Sequence, residues 1–303
     1  MLDLDLFSNI FAQTTQLIWH PWQGSVVAGC FLTAVAGVAV ELKDRILQSS
    51  PIDLRRRNLG ALAWQKYHAQ EQPLLPSSET ESREGLGWRL EARSHHCPSC
   101  HSDFFDTVEL DDDHLAFYLG EVSGGGIAAA LCQASCKALL RYAAFTPGQV
   151  AMVMEEVNSV LCQREPDGRV VTLVYGVLEL STGQVTMVSA GQTDPILQRA
   201  DGTSRRLVMP LRLPLGMTES PRYETVGFRL DVGDRLLLVS DGVTQARDRS
   251  REPLSHERLR VLSHKNRDRS LANWTDAILD GVNSYDERYN DDRTLLALGY
   301  RAN

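Results

Sequence analysis

Four acidic residues, Asp103, Glu121, Asp241 and Asp291, stand where short hydrophobic runs begin or end, and such runs read as strands bounded by turns. An aspartate at a strand end is ordinarily turn chemistry. Four carboxylates delivered from distant parts of one chain to strand ends are also a set of hard oxygen donors, the kind that suits Mg²⁺ or Mn²⁺. A second chemistry-bearing stretch overlaps the first of them. HHCPSCHSDFFD, His95 to Asp106, contains Cys97, Cys100 and His101 in the spacing of a c-type haem attachment, and the two cysteines with His95 or His96 would also suit Zn²⁺. No second CxxC or HxxxH completes a zinc site, and the motif runs directly into the strand carrying Asp103. The reading is a loop with incidental cysteines, with a Cys/His metal or redox-sensing protein as the competing class.

The elements that must position the carboxylates follow from local pattern. In DFFDTVELDDDHLAFYLGE, Phe104 to Leu110 and Leu115 to Leu119 flank the acidic turn Asp111–Asp113, which predicts a β-hairpin. Asp103 and Glu121 lie equally far from its centre at Asp112, so the hairpin brings them side by side at its open end. Gly124, Gly125 and Gly126 then permit a tight turn into an alanine-rich helix, without the Lys-Ser/Thr of a Walker loop. Cys132 and Cys136 fall in that helix as small buried hydrophobes. VTLVYGVLELSTGQVTMVSAG predicts a second hairpin about Ser181 to Gln184. The buried strand Arg235 to Val239 delivers Asp241, and Asp291 and Asp292 precede the last strand. Asp111–Asp113 is read as a solvated turn, His114 as a water-facing strand residue, and the arginine-rich stretch around residues 247–270 as an exposed loop and helix.

Composition narrows the function classes. The chain has 303 residues, 43% hydrophobic and 23% charged, with a net charge of −8. That is ordinary globular usage without the basic surface a nucleic-acid binder needs. The front differs from the rest. No charged side chain occurs between Asp5 and Glu41, and Gly24 to Val40 is apolar enough for a spanning helix, led by Trp19 and Trp22 and followed by Lys43, Arg45 and Arg55 to Arg57. The charge asymmetry predicts a single-pass membrane protein with everything after Leu42 on the cytoplasmic side. Ser25, Gly29, Thr33 and Gly37 line one helix face and would allow a homodimer. The expected organisation is a membrane anchor over 1–45, a Pro/Ser/Glu-rich juxtamembrane linker over 46–86, and a domain over 87–303.

From about Trp88 to Tyr300 the sequence resembles the SpoIIE-like branch of the PPM-type metal-dependent serine/threonine phosphatases. The resemblance rests on SDFFD, GEVSGGG, VTLVYGVLELSTG, SAGQTDP, LPLGM, GDRLLLVSDGVTQA and DDRTLLAL. It implies an α+β fold, an αββα sandwich of two packed, mainly antiparallel sheets flanked by helices, with a two-metal Mn²⁺ or Mg²⁺ site at one edge. It implies that Asp103 bridges both ions, that Glu121 and the Val122 carbonyl take the place of the family's Asp-Val pair, and that Asp241 and Asp291 complete the site. Asp106 and Asp292 are read as turn or supporting groups. The implied activity is hydrolysis of phosphoserine or phosphothreonine on a regulatory phosphoprotein, an anti-sigma-factor antagonist, by a metal-activated water. Four residues depart from the family pattern: His101-Ser102 replaces Gly-Gly, Glu121 replaces Asp, and Gln192 replaces His. They leave open a catalytically weakened signalling scaffold with the same fold.

Overall fold

The computed structural model describes residues 80–95, 102–124, 126–145, 150–164, 168–210, 212–219, 221–286 and 291–301. The N-terminal segment read as an anchor, the linker up to residue 79 and the CPSCH motif lie outside the described residues. Among the described residues no helix is long and apolar enough to cross a membrane.

Two antiparallel sheets carry the fold. One has the strand order β1 (Thr80–Gly85), β2 (Trp88–His95), β11 (Arg293–Tyr300), β10 (Arg235–Val239), β7 (Ile196–Gln198) and β8 (Ser204–Arg206). The other runs β3 (Asp103–Glu109), β4 (His114–Val122), β5 (Val171–Glu179), β6 (Gln184–Ala190) and β9 (Thr225–Arg229). Helices α1 (Gly126–Ala143) and α2 (Val150–Arg164) pack beside the second sheet. The one-turn α3 (Asp241–Thr244), α4 (Ser255–Lys265) and α5 (Leu271–Tyr285) pack beside the first. The expected α+β sandwich of two antiparallel sheets flanked by helices is the observed architecture.

Strands β10 and β11 are continuous apolar runs because both of their faces are buried. Successive side chains point to opposite faces of a strand. Leu236, Leu238, Leu296 and Leu298 therefore enter the core between the sheets, with Leu90, Leu115, Phe117, Leu119 and Val174. Leu237, Val239, Leu295 and Ala297 enter a second core beneath α4 and α5, with Trp274, Ile278 and Leu259. Burying a leucine or isoleucine side chain is worth roughly 1.5–3 kcal/mol. The strand that ends at Val239, just before Asp241, and the strand that begins at Arg293, just after Asp291 and Asp292, are thus anchored on both faces.

One boundary differs from expectation. The last residues of the stretch read as a linker, Thr80–Gly85, form β1, which pairs with β2 from Thr80↔Arg93 to Gly85↔Trp88. Its side chains are polar and largely exposed, the composition of a protected sheet edge, and this disguises a strand as a tether.

Candidate metal centre

The β3–β4 hairpin forms in the register that counting predicts: Asp103 faces Glu121, Phe105 faces Leu119, and the ladder runs to Glu109 opposite Leu115. The turn is built by Asp111, whose Oδ1 accepts the backbone N–H groups of Asp113 and His114, each at 2.8 Å, while its carboxylate meets His114 Nδ1 at 2.9 Å. The turn is more than a solvated loop. Asp113 accepts hydrogen bonds from the backbone N–H and the hydroxyl of Ser181, at 2.7 and 2.8 Å, and so stitches it to the second hairpin turn. At the open end β4 passes on to β5, with Glu121 opposite Thr172 and Val122 opposite Val171.

Strand β10 enters the site through Ser240, whose N–H donates to the Thr294 carbonyl and whose Oγ accepts the Thr294 N–H, both at 3.0 Å. This double tie fixes the start of β11 beside the end of β10. Asp241 then opens α3, with one carboxylate oxygen held by Gln245 Nε2 at 2.7 Å. The next residue must be glycine, because a Cβ at position 242 would lie 2.1 Å from the Asp292 carbonyl oxygen. That close approach brings the loop of Asp291 and Asp292 against the one bearing Asp241.

The result is a convergence. Carboxylate oxygens of Glu121, Asp241 and Asp291 lie within 4.8 Å of one another. Asp103, 4% exposed, stands against them with neither carboxylate oxygen hydrogen-bonded, and Asp241 Oδ1 is also buried without a partner. Burial drives the Asp103 carboxyl up to about 7. The Thr294 and Ser240 hydroxyls draw it back without closing a well-formed hydrogen bond, and the charges of Asp292 and Asp291 push it further up. Glu121 is raised well above the usual carboxylate range by burial, then by the charges of Asp103 and Asp241. Asp291 is raised by burial, pulled back by the Asp292 N–H, and raised again by Asp241.

Buried carboxylate oxygens without donors are costly, and mutually repelling acids cannot all ionise at neutral pH unless positive charge joins them. A hard divalent cation would satisfy both demands, and the all-oxygen donor set fits Mg²⁺ or Mn²⁺. A contrasting group, Asp113, His114 and Glu179, has donor atoms equally close together. There every acid is already hydrogen-bonded, to Ser181 and Thr182 hydroxyls and to backbone N–H groups, so it serves the turns.

The remaining candidates fall into supporting places. Asp292 turns away from the cluster: its Oδ2 accepts the N–H of Ser102 at 2.7 Å and of Asp103 at 3.2 Å, tying β11 to the start of β3. Ser102 is buried there and also accepts the Val122 N–H, so the residue that replaces a glycine of the family pattern fits without displacing the hairpin end. Asp106 is neither a turn residue nor a member of the cluster. It is buried in mid-strand, ion-paired to Arg141 of α1, 3.6 Å from Arg83 of β1, and hydrogen-bonded by the Tyr118 hydroxyl at 3.2 Å. Gln192 folds back on its own loop, accepting the Thr193 N–H at 2.8 Å and reaching Thr172, the residue opposite Glu121, at 3.4 Å. Arg141 was not legible as a partner of the site. Thirty-five residues separate it from Asp106, and only the packing of α1 on β3 joins them.

The family model described as Stage II sporulation protein E (SpoIIE) matches residues 111–301. Protein IcfG of Synechocystis is 25% identical over 230 residues, 66% of this chain and 35% of that protein. Phosphoserine phosphatase RsbU of Bacillus subtilis is 26% identical over 145 residues, 48% of this chain and 43% of RsbU. The matches thus span between a third and a half of the length of these relatives. Among solved structures, the RsbU and RsbW domains of a Mycobacterium tuberculosis protein superpose with a TM-score of 0.63 at 24% identity, covering 75% of this chain and 64% of that one. The PP2C phosphatase domain of Bacillus subtilis SpoIIE, with a fragment of its regulatory domain, does so with a TM-score of 0.59 at 15% identity, covering 92% and 98%. With a family model matching more than half of its length and the same sandwich fold in these structures, the chain belongs to the SpoIIE family.

Proposed function

We propose that the protein is a Mn²⁺- or Mg²⁺-dependent phosphatase acting on phosphoserine or phosphothreonine of a regulatory phosphoprotein. The observation that carries the reading is the convergence of Glu121, Asp241 and Asp291 beside the unpartnered Asp103, in a SpoIIE-family chain similar to a protein named phosphoserine phosphatase. In this reading Asp103, Glu121, Asp241 and Asp291, with the Val122 carbonyl at the end of β4, would hold two ions. Divalent cations bound in such a site supply an activated water at neutral pH and neutralise phosphoryl oxygens. The chain's own contribution is position. The Ser240–Thr294 tie, the Asp292 bridge to Ser102 and Asp103, and the Gly242 contact fix the carboxylates before any ligand arrives. Similarity to a protein named phosphoserine phosphatase supports the phosphoserine specificity, and the resemblance to the SpoIIE-like phosphatases makes a phosphorylated anti-sigma-factor antagonist the substrate in this reading. The apolar segment Gly24 to Val40 and the arginines that follow support a single-pass anchor with this domain on the cytoplasmic side, and its small-residue face supports a homodimer.

The test is phosphate release from a phosphoserine peptide by the full-length protein, with Mn²⁺ and with chelator. Activity only with Mn²⁺, reduced at least about 100-fold in Asp241→Asn, is the expected result, since even small misplacement at such a site costs on that order. Metal binding without turnover would contradict it and favour the scaffold, which the longer side chain of Glu121 in place of aspartate makes specific.

A further inference from the structure

The rim of the acidic site has a built surface that the metal chemistry leaves unused. Beyond Val122 the chain turns through Ser123 and Gly124 towards α1, and this turn is clasped to the segment leading into β5: Ser123 N–H donates to the Val170 carbonyl at 2.8 Å, and Val170 N–H to Ser123 Oγ at 2.9 Å. Arg169, half-buried, lays its guanidinium over this turn, with Nη1 3.4 Å from the Ser123 carbonyl. It is also 3.1 Å from where a Cβ on Gly124 would stand. Ser123 is two residues from Glu121, about 7 Å of extended chain, so the turn that Arg169 covers adjoins the strand end carrying Glu121.

The LPLGM loop crosses the same place. Leu215 pairs with Val171 in both directions, at 2.8 and 2.9 Å. Gly216 has φ +82°, and a Cβ there would lie 2.9 Å from the Arg169 carbonyl. Asn158 of α2, fully buried, clamps the loop from behind, accepting the Gly216 N–H at 2.9 Å and donating to the Thr218 carbonyl at 2.8 Å. The residue between these anchors, Met217, is 58% exposed, and Leu213 is 49% exposed. Isolated exposed hydrophobes need no explanation. Two within five residues, on a loop whose backbone is clamped at Leu215, Gly216 and Thr218 and abuts the backbone of Arg169, form a surface with a defined complement.

We propose that Arg169, Leu213 and Met217 form the receiving surface for the phosphorylated segment of the protein substrate. The guanidinium takes a phosphoryl oxygen, and the two apolar side chains take hydrophobic residues flanking the phosphorylated one. The inference rests on the phosphatase reading and deepens it, naming the substrate as a phosphoserine or phosphothreonine segment with apolar neighbours. Phosphate is the natural ligand of a guanidinium, and a charge-assisted hydrogen bond of this kind is worth about tenfold or more in affinity. Continuity with the carboxylate cluster and this charge complementarity select a phosphopeptide as the occupant.

The experiment uses full-length protein with Mn²⁺, a phosphoserine peptide with leucine on either side of the phosphorylated residue, p-nitrophenyl phosphate as a small substrate, and inorganic phosphate as inhibitor. Leu213→Glu and Met217→Glu are expected to lower the ratio of kcat/KM for peptide over small substrate about tenfold. Arg169→Ala is expected to weaken inhibition by inorganic phosphate about tenfold, with Arg169→Lys between it and wild type. An active enzyme in which that ratio and the phosphate inhibition constant are unmoved by these variants overturns this surface alone. A wild-type protein inactive on both substrates overturns the phosphatase reading and this inference with it.

Discussion

Asp291 and Asp292 are adjacent in sequence and do different work, because consecutive side chains at the entry to a strand point to opposite sides. Asp291 joins Glu121 and Asp241, whereas Asp292 accepts two backbone N–H groups at the start of β3. Their substitutions should therefore diverge. Asp292→Ala leaves the buried N–H groups of Ser102 and Asp103 without this acceptor and is expected to lower stability by about 2 kcal/mol, measured by urea denaturation. Asp291→Asn removes a repelled charge and is expected to leave the stability of the metal-free protein unchanged or raised while lowering Mn²⁺ affinity. Equal destabilisation by both would refute the division of labour. At this scale the sequence was legible wherever register alone decides. Asp103 faces Glu121 because a hairpin of known centre allows only one pairing. Which of two neighbouring aspartates enters the cluster depends on the backbone direction at a loop exit, which no local pattern encodes.

Strands and helices place these residues through contacts between layers. Asp106 sits three residues beyond Asp103 on β3 and is held by Arg141 from α1, with Arg83 of β1 bonded to the Thr107 carbonyl at 3.2 Å. This buried group ties a helix and an edge strand to the strand that opens the site. Truncating one member of a buried ion pair leaves an uncompensated charge, at a cost of about 3–5 kcal/mol. Arg141→Ala is expected to lie near the lower end, because Asp106 keeps the Tyr118 hydroxyl and the Thr107 N–H; a loss below about 1 kcal/mol in chemical denaturation would show the pair to be dispensable. Strands with apolar faces were readable in the sequence, down to the bounds of β10. Strand β1 was not, since TESREG has no hydrophobic face and gains its pairing from β2.

For the molecule as a whole, the acidic cluster couples stability to pH and to metal. Asp103, Glu121 and Asp291 have raised pKa values in the metal-free fold, so the folded chain keeps protons that the unfolded chain has released once pH exceeds the ordinary carboxylate range. The stabilisation present below about pH 4 is lost as pH rises, through about 7 in the case of Asp103. The metal-free protein should therefore melt at a lower temperature at pH 8 than at pH 6, with a smaller difference in Asp103→Asn, and Mn²⁺ should restore the melting temperature at pH 8. A metal-free melting temperature that rises across this interval would contradict the sign. The sandwich was legible only through the family resemblance that the ordered set of motifs carries, because local strand pattern gives the hairpins and not the packing of one sheet on the other.

Calorimetric titration of Mn²⁺ into metal-free full-length protein at pH 7, in buffers of different ionisation enthalpy, tests the central claim most directly. Carboxylates that share protons for want of a cation must release them when one binds. The expected result is binding accompanied by proton release, abolished in Asp241→Asn. Binding without proton release, or an undiminished isotherm in that variant, would contradict the assignment of Glu121, Asp241 and Asp291 as the metal centre.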